Sequence, residues 1–393
     1  MAPTPFPIAL LAGLLFCLLA LALLERSAHA VGLLDTPTQH KAHTHPTPAV
    51  GGIGMALTLL LSGVWVLCSA GVPAAGGFFG AANATLFPAT GVGAGGGGSA
   101  AGAAYAGAYS LPGACALYFG ILSLAVLGAV DDVRHLRAHT KLGVMLAIFA
   151  ATLFYSGNLI YQVGELWPGR PVGTSLLAIP LTLFAAVGVV NAFNLIDGMD
   201  GLAGSVAACI LAGFVLLAFM IGATEWLPFL GVCLGAVLAF LAYNLRLPGR
   251  PRARLFMGDA GSLVLGFILF WLAVALAHRP QGAVPPVVMV WLLAFPMLDT
   301  VATMALRIRE GKSILAPGHD HFHHLMLRVG WSVNGIVALA AGLTVGLAAV
   351  GIGLWRLGVP DWASLLLFLA VTAGYVRKFL RSWRKGDRRG VAV

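Results

Sequence analysis

The chain has 393 residues, of which 59% are hydrophobic and only 9% are charged. Soluble domains carry roughly 25% charged residues, so this composition excludes an ordinary soluble protein and predicts a polytopic membrane protein. A formal net charge of +9 raises the question of nucleic-acid binding, but no nucleic-acid motif accompanies the basic residues. The five cysteines lie in apolar runs without CxxC spacing, which indicates buried thiols rather than disulfides.

Hydropathy predicts an all-α fold with about eleven transmembrane helices, because a spanning helix needs about 20 mainly apolar residues. The predicted stretches are 6–24, 51–70, 113–130, 142–160, 174–191, 204–222, 226–244, 260–278, 284–305, 334–354 and 360–377. For the first stretch, a signal peptide is the alternative, since Ala28-His29-Ala30 resembles a cleavage site. No basic residue precedes Arg26, however, and a signal peptide needs one. We therefore expect a first transmembrane helix whose N-terminus lies outside.

The basic residues predict the orientation, because Lys and Arg concentrate in cytoplasmic loops. With the N-terminus outside, all of the 23 Lys and Arg residues except Arg170, Arg279 and Arg356 fall on one face. This places the C-terminus in the cytoplasm. We expect one membrane domain over residues 1–393, with a Gly/Ala-rich external loop insertion at 76–107 and a basic cytoplasmic tail at 379–393.

Five aspartates fall at predicted cytoplasmic helix ends, in three separate segments of the chain. They are Asp131 and Asp132 in LGAVDDVRHLRAHTKL, Asp197 and Asp200 in NAFNLIDGMDGLAG, and Asp259 in LFMGDAGSLVLGF. Carboxylates close to hydrocarbon are costly and usually mark a functional site. Asp197 and Asp200 would share a face if their segment is helical. Asp259 lies at a predicted helix start, where backbone N–H groups can also receive an anion.

Oxygen ligands with little cysteine favour Mg²⁺ or Mn²⁺ over zinc. Such a cation beside Arg, Lys and helix N-termini is typical of phosphoryl transfer. Each aspartate taken alone has a structural alternative, as an N-cap, a turn residue or a solvated helix end. A transporter is the alternative class, although it predicts an inverted repeat and charges near helix centres. Asp299, deeper in its helix, fits either a transport pathway or a buried structural role.

A histidine cluster, GHDHFHHLMLRVG, lies in a long predicted cytoplasmic loop from Gly318 to Gly330. It has three interpretations: a zinc site, a pH sensor and a grip for phosphate. Zinc requires a second group of Cys or His ligands at a suitable spacing, and the sequence offers none; a membrane zinc protease would need HExxH, which is also absent. Imidazole can donate hydrogen bonds to phosphate oxygens, which favours the phosphate interpretation.

These motifs, in this order, resemble the bacterial polyprenyl-phosphate N-acetylhexosamine-1-phosphate transferases of glycosyltransferase family 4. Within that family the resemblance is greatest to the N-acetylglucosamine branch, which starts O-antigen and other surface polysaccharides. It covers the chain from residue 32 to residue 331, except for the Gly/Ala-rich loop. It implies that undecaprenyl phosphate attacks UDP-N-acetylhexosamine with the help of Mg²⁺, and that UMP leaves. It also implies a multi-pass protein of the bacterial inner membrane, with its active site on the cytoplasmic face and a homodimer as one option.

The resemblance implies a role for each matching residue. Asp131 and Asp132 would bind the lipid phosphate or metal, with Asp131 a candidate base, and Asp259 would bind the metal. The segment with Asn191, Asn194, Asp197 and Asp200 is linked to nucleotide and metal binding, with Asp197 as a further metal ligand. Other implied substrate contacts are Lys41 and His45 for phosphate or lipid, Asn244 and Phe256 for uridine, and His321, His323 and His324 for the donor's phosphates or sugar.

Two departures from the family pattern bear on the donor sugar. Gly318-His319 replaces the Asp-Arg dipeptide that commonly precedes the histidines in N-acetylglucosamine enzymes. The muramyl-pentapeptide transferases of cell-wall synthesis typically place a glutamate after the histidines, where this chain has Leu325-Met326-Leu327. We expect N-acetylglucosamine as the sugar and keep the muramyl-pentapeptide enzyme as an alternative.

Overall fold

The computed structural model describes residues 5–31, 34–35, 46–70, 111–167, 170–279, 284–314 and 318–387. It confirms an all-α membrane fold. The helices are α1 Pro5–Val31, α2 Gly51–Ala70, α3 Leu111–Arg134, α4 Ala138–Ser156, α5 Ala178–Ile196, α6 Leu202–Met220, α7 Leu227–Asn244, α8 Gly258–Ala277, α9 Pro286–Leu292, α10 Ala294–Arg309, α11 Phe322–Arg328, α12 Val333–Arg356 and α13 Asp361–Asp387. Two short strands, β1 Leu34–Asp35 and β2 Thr47–Pro48, pair antiparallel.

Within the described residues, nine helices are long and apolar enough to cross a membrane, and ten if the bent pair α9–α10 forms one span. Every predicted stretch contains a helix. That all eleven cross the membrane stays a prediction. The stretch 284–305, which we expected to be one helix, bends by 73° at Leu293. Pro296 accounts for the break, because it has no N–H to offer the carbonyl of Leu292 and its ring clashes with that carbonyl.

Helix α8 forms the centre of the bundle. Every residue from Ala260 to Ala277 is buried, and the helix packs against α3, α5, α2 and α6. A helix that is apolar on all sides needs neighbours on all sides, which explains this position. The stacked rings of Phe149 and Phe267, 5.9 Å apart, join α4 to the same core. The N-terminus of α8, with Asp259 in its first turn, therefore opens at the middle of one end of the bundle.

Glycine allows α3 to approach α8 closely at that end. A Cβ placed on Gly128 would lie 2.3 Å from the backbone nitrogen of Ala260, so no larger residue fits there. Small residues permit such contacts between membrane helices. Asp131 and Asp132 follow Gly128 by one turn of α3 and are consequently held beside the first turn of α8.

Three further acidic residues, Glu165, Glu225 and Asp361, lie at the opposite end of the bundle. Arg279, just after α8, pairs with Glu225 at 2.7 Å, and Asp361 accepts a hydrogen bond from the backbone N–H of Glu165 at 2.9 Å. The two groups of carboxylates thus lie at opposite ends of the bundle. The segment expected to be a tail from residue 379 continues α13 as a helix as far as Asp387, and the loop insertion lies outside the described residues.

Candidate active site

Lys141, in the first turn of α4, is the centre of a polar site at the end of α8. Its ammonium group contacts Asp131 Oδ2 at 2.8 Å and Asp259 Oδ2 at 2.7 Å, and donates to Asn194 Oδ1 at 3.3 Å. Four helices, α3, α4, α5 and α8, meet at this one group. The sequence indicated Lys141 only as a topological charge, because its spacing from the aspartates along the chain gives no sign of the contact.

Asp132 caps the N-terminus of α8. Its Oδ1 accepts from the backbone N–H of Asp259 at 2.9 Å, and its Oδ2 lies 3.5 Å from the nitrogen of Ala260. Gly258 adopts a φ of +69°, and a Cβ there would lie 2.6 Å from Asp132 Oδ2. We expected the free N–H groups of this helix to receive an anion. In this structure the side chain of Asp132 takes that position at the N–H groups of Asp259 and Ala260.

Asn194 holds Asp259 from the other side. Its amide nitrogen donates to Asp259 Oδ1 at 2.6 Å and to Ser262 Oγ at 2.8 Å. Both carboxylate oxygens of Asp259 are thereby hydrogen-bonded, one by Asn194 and one by Lys141. The orientation of this carboxylate is fixed before any substrate arrives. Asn191 lies about one turn earlier on α5 and is partly buried.

Asp197 and Asp200 do not share a helical face, because α5 ends at Ile196 and a turn with Gly201 at a φ of +80° precedes α6. Asp200 turns away to Arg246 Nε at 2.7 Å and to the N–H of Ala253 at 3.2 Å. Asp197 faces the site, where burial and the charges of Asp259, Asp132 and Asp200 raise its pKa to about 8. Among the described residues, no side chain or N–H donates to the Asp197 carboxylate.

Asn244 and Phe256, the residues implied for uridine, have structural contacts. Asn244 is buried and accepts from the N–H of Gly201 at 2.6 Å, while its amide donates to the carbonyl of Leu255 at 2.8 Å. It therefore ties the turn before α6 to the segment before α8. The backbone of Phe256 bonds to Pro48 and Gly51, at 2.9 Å each, and its ring stays partly exposed. Lys41 and His45 lie outside the described residues.

Asp299, which the sequence left undecided between transport and structure, organises the histidine loop. It is 1% exposed and contacts His321 Nδ1 at 3.0 Å through one oxygen. Its other oxygen accepts from the N–H of Phe322 at 2.7 Å, at the start of α11. An Nδ1–H donated to a carboxylate leaves Nε2 of a neutral His321 as an acceptor. Asp299 therefore sets both the position and the tautomer of His321.

His323 and His324 carry the histidine cluster to the aspartate site. A Cβ placed on Gly198, the residue after Asp197, would lie 2.5 Å from His323 Nε2. The rings of His323 and His324 are 4.1 Å apart. Both ring nitrogens of His323 are buried and have no hydrogen-bond partner among the described residues. Burial and the neighbouring histidines lower the pKa of His323 well below its usual value and that of His324 to about 4, so both are neutral near pH 7.

His319 and Asp320, the other two members of the histidine cluster, lie at its edge. Asp320 pairs with Arg307 at 3.2 Å and belongs to the junction between α10 and the loop. His319 is exposed and touches His324 through its ring, with centroids 4.8 Å apart. Neither side chain is aimed at Asp197 or Asp259.

The donor set of the site fits a hard divalent cation. The carboxyl groups of Asp131, Asp132, Asp197 and Asp259 lie close together around one ammonium group, which contacts Asp131 and Asp259, and no described residue donates to Asp197. In the described part of the chain, no three His, Cys, Asp or Glu side chains form a ready metal cage. Mg²⁺ does not need one, because it usually keeps several waters and binds through one or two carboxylates together with substrate phosphates.

The fold and this site define a polytopic membrane protein with a carboxylate site, and buried neutral imidazoles beside it, at one end of the helix bundle. The model of glycosyl transferase family 4 matches residues 114–277, which run from the first turn of α3 to the end of α8. An undecaprenyl-phosphate alpha-N-acetylglucosaminyl 1-phosphate transferase of Salmonella typhi is 30% identical over 380 residues, which cover 94% of this chain and 90% of the relative. The enzyme of the same name from Escherichia coli K12 is 28% identical over 375 residues, with the same coverage. The chain belongs to glycosyl transferase family 4 and is a transferase.

Replacing Asp299 by Asn should destabilise the protein, because Asn keeps the shape but removes the charged acceptor from His321. Hydrogen bonds to charged groups contribute about 1.5–3 kcal/mol each. The matched control is Glu310→Gln at the end of the same helix, where the carboxylate pairs with exposed Lys312 and with no other described residue. Exposed pairs contribute about 1 kcal/mol or less. Thermal unfolding in detergent should show a lower melting temperature for Asp299→Asn alone. Equal melting temperatures for the two variants would contradict the organising role of Asp299.

Proposed function

We propose that this chain transfers N-acetylglucosamine-1-phosphate from UDP-N-acetylglucosamine to undecaprenyl phosphate, and so starts a lipid-linked surface polysaccharide such as O-antigen. An oxygen of the lipid phosphate forms a new bond to the β-phosphorus of the donor. The bond from that phosphorus to the α,β-bridging oxygen breaks, and UMP leaves with the electron pair. The relatives' shared name supports both substrates, and the convergence of Lys141 with Asp131, Asp132 and Asp259 carries the proposal.

Two phosphates repel each other, so the site must mainly neutralise charge and align the reactants. Lys141 supplies one positive charge and fixes the two carboxylates that it touches. Asp259 and Asp197 would hold Mg²⁺, with Asp132 near both, and Mn²⁺ is the alternative metal. Once bound, the cation would neutralise the donor's pyrophosphate. Asp131 needs no role as a base, because its two oxygens are engaged by Lys141 and by the N–H of Leu136 at 2.7 Å, and the attacking phosphate is already ionised.

His323 supports an assignment to the donor phosphates. Its buried ring lacks partners within the described residues, and a buried polar group without a partner costs about 1–3 kcal/mol. A pyrophosphate oxygen beside Gly198 would accept from one ring nitrogen. His321, with its tautomer set by Asp299, stacks parallel to His323 with ring centroids 6.0 Å apart, which keeps the second ring in place. The resulting donor site lies between α11 and the turn after α5.

The positive-inside distribution supports an orientation with this site at the cytoplasmic face of the bacterial inner membrane, where UDP-sugars are available. The packing is consistent with that proposal, since the ends of α3 and α5 meet the starts of α4 and α8 at one end of the bundle. The N-terminus would then lie outside and the C-terminus inside.

Transfer can be tested with purified protein, Mg²⁺, undecaprenyl phosphate and labelled donors. UDP-N-acetylglucosamine should give UMP and a lipid-linked product in equal amounts, whereas UDP-N-acetylmuramoyl-pentapeptide should give neither. Asp259→Asn should lower kcat at least 100-fold, because losing one preorganised charge in such a site costs roughly 10²–10³-fold. The control is Glu310→Gln, which should keep wild-type turnover. Product from the muramyl donor alone would favour the cell-wall enzyme, and no product from any UDP-sugar would refute the enzyme assignment.

His323→Ala should raise the KM for the UDP-sugar about 10–100-fold, the equivalent of one hydrogen bond of about 1.5–3 kcal/mol to a charged group. The KM for undecaprenyl phosphate should change much less. His319→Ala, an exposed histidine of the same loop, is the matched control and should leave both values unchanged. Metal analysis belongs in the same experiment. Stoichiometric zinc in the wild type that is lost in His323→Ala would replace the phosphate interpretation with a zinc site.

A further inference from the structure

A second positively charged site lies in a groove between α10 and α13, outside the carboxylate site. The groove encloses about 570 Å³ and is lined by Arg309 of α10 and by Arg377, Arg381 and Arg384 of α13. All four arginines are exposed. Within the described part of the chain, none of them forms an ion pair or a hydrogen bond to a protein group. Four guanidinium groups around one cavity, without a counter-charge from any described residue, favour the binding of an anion.

The arginines of α13 form one stripe rather than a scattered surface charge. Positions 377, 381 and 384 have the i, i+4, i+7 spacing of one helix face. Like charges at this spacing repel each other, which destabilises the helix unless a ligand compensates. Lys378 is equally exposed but points about 100° away around the helix and does not line the groove.

The rest of the groove is mostly apolar, and the charged side chains lie at one end of it. Val301 of α10 lies about 12 Å before Arg309 along the helix, and Leu369 of α13 lies about 22 Å before Arg384. Leu369, Val376 and Val301 would contact an acyl chain, while a phosphate would reach the arginines. A soluble anion would use only the charged end. An amphiphile with an anionic head and a long apolar chain uses the whole groove.

The groove does not open on the carboxylate site. Helix α13 packs mainly against α10, with smaller contacts to α9, α11 and α12, whereas the aspartates and Lys141 lie among α3, α4, α5 and α8. A phosphate held in the groove is separated from Asp259 by α10 and α5. A lipid whose phosphate binds in the groove is therefore a non-reacting lipid of the bilayer rather than the acceptor.

The opposite face of α13 supports the histidine helix. Phe379 and Trp383 are buried with Leu306 of α10 and Leu325 of α11. Arg328, at the end of α11, stacks over the Trp383 ring at 4.1 Å. A ligand that fixes α13 against α10 would therefore also steady α11, which carries His323 and His324.

We propose that the groove between α10 and α13 binds an anionic phospholipid of the surrounding bilayer, with its phosphate at Arg309, Arg377, Arg381 and Arg384 and an acyl chain along Val301 and Leu369. Basic pockets between transmembrane helices are a known kind of site for anionic head groups. The proposal does not depend on which sugar the enzyme transfers, because lipid binding can be measured without turnover.

The test is native mass spectrometry of the delipidated full-length protein, combined with melting temperatures in detergent. Phosphatidylglycerol should bind the wild type and raise its melting temperature, whereas phosphatidylcholine and inorganic phosphate should do neither at equal concentration. Arg377→Gln combined with Arg381→Gln should weaken phosphatidylglycerol binding at least 10-fold. Lys378→Gln, which removes a charge from another face of the same helix, should retain wild-type affinity. Without lipid, the melting temperature of the double variant should be equal to or above that of the wild type, because the repulsion between the arginines is relieved.

If the double variant unfolds, Arg309→Gln on the other helix replaces it, with the same expected loss of binding. Equal binding of phosphatidylcholine would mean that only the apolar wall matters, and an equal effect of inorganic phosphate would mean a site for a soluble anion. Equal weakening by Lys378→Gln would reduce the groove to general surface charge. A raised KM for undecaprenyl phosphate with unchanged phosphatidylglycerol binding would make the groove part of the acceptor site. Each of these results would overturn the proposal.

Discussion

The site depends on one interaction, the contact of the Lys141 ammonium group with Asp131 and Asp259 near the end of the bundle. Without it, four carboxylates would face one another in a partly buried space, and removing one partner of a buried ion pair costs about 3–5 kcal/mol. The lysine leaves a net negative charge, since one ammonium group cannot neutralise the carboxylates of Asp131, Asp132 and Asp259 together. The same group therefore makes the cluster tolerable for folding and leaves it attractive to a divalent cation. Both consequences follow from the count of charges around one nitrogen.

Backbone packing determines where these charges meet. Gly128 brings α3 against the first turn of α8, and Asp132 then caps that turn. Helix α8 is buried from Ala260 onward, so Asp259 in its first turn lies at the boundary between the core and the site. Asn194 and Ser262 complete the support of Asp259. A second support comes from Asp299, which fixes the histidine loop so that His323 reaches Gly198. The aspartate cluster and the histidine cluster, far apart in sequence, thus form two walls of one site.

Sequence patterns predicted the helices, the gathering of Asp131, Asp132 and Asp259, and the position of Asp259 at a helix start, because hydropathy and the cost of charge near lipid are local properties. They did not include the bend at Leu293, although Pro296 is a local signal for such a break. They also missed Lys141, which carried the same topological signal as every other inward cation. Asp197 and Asp200 looked equivalent in sequence, yet a turn sends Asp200 to Arg246. Pairings across distant helices, rather than residue types, were the missing information.

The central claim is that Lys141 and its carboxylates act as one unit in transfer. A double-mutant cycle with Lys141→Gln, Asp131→Asn and the combined variant measures this directly from kcat with UDP-N-acetylglucosamine and undecaprenyl phosphate. Residues that act as a unit give strongly non-additive effects. We expect each single change to lower kcat by roughly 100-fold or more and the combined variant to be no slower than the slower single variant. Losses that multiply in the combined variant would mean that the two groups act independently, and would contradict the account.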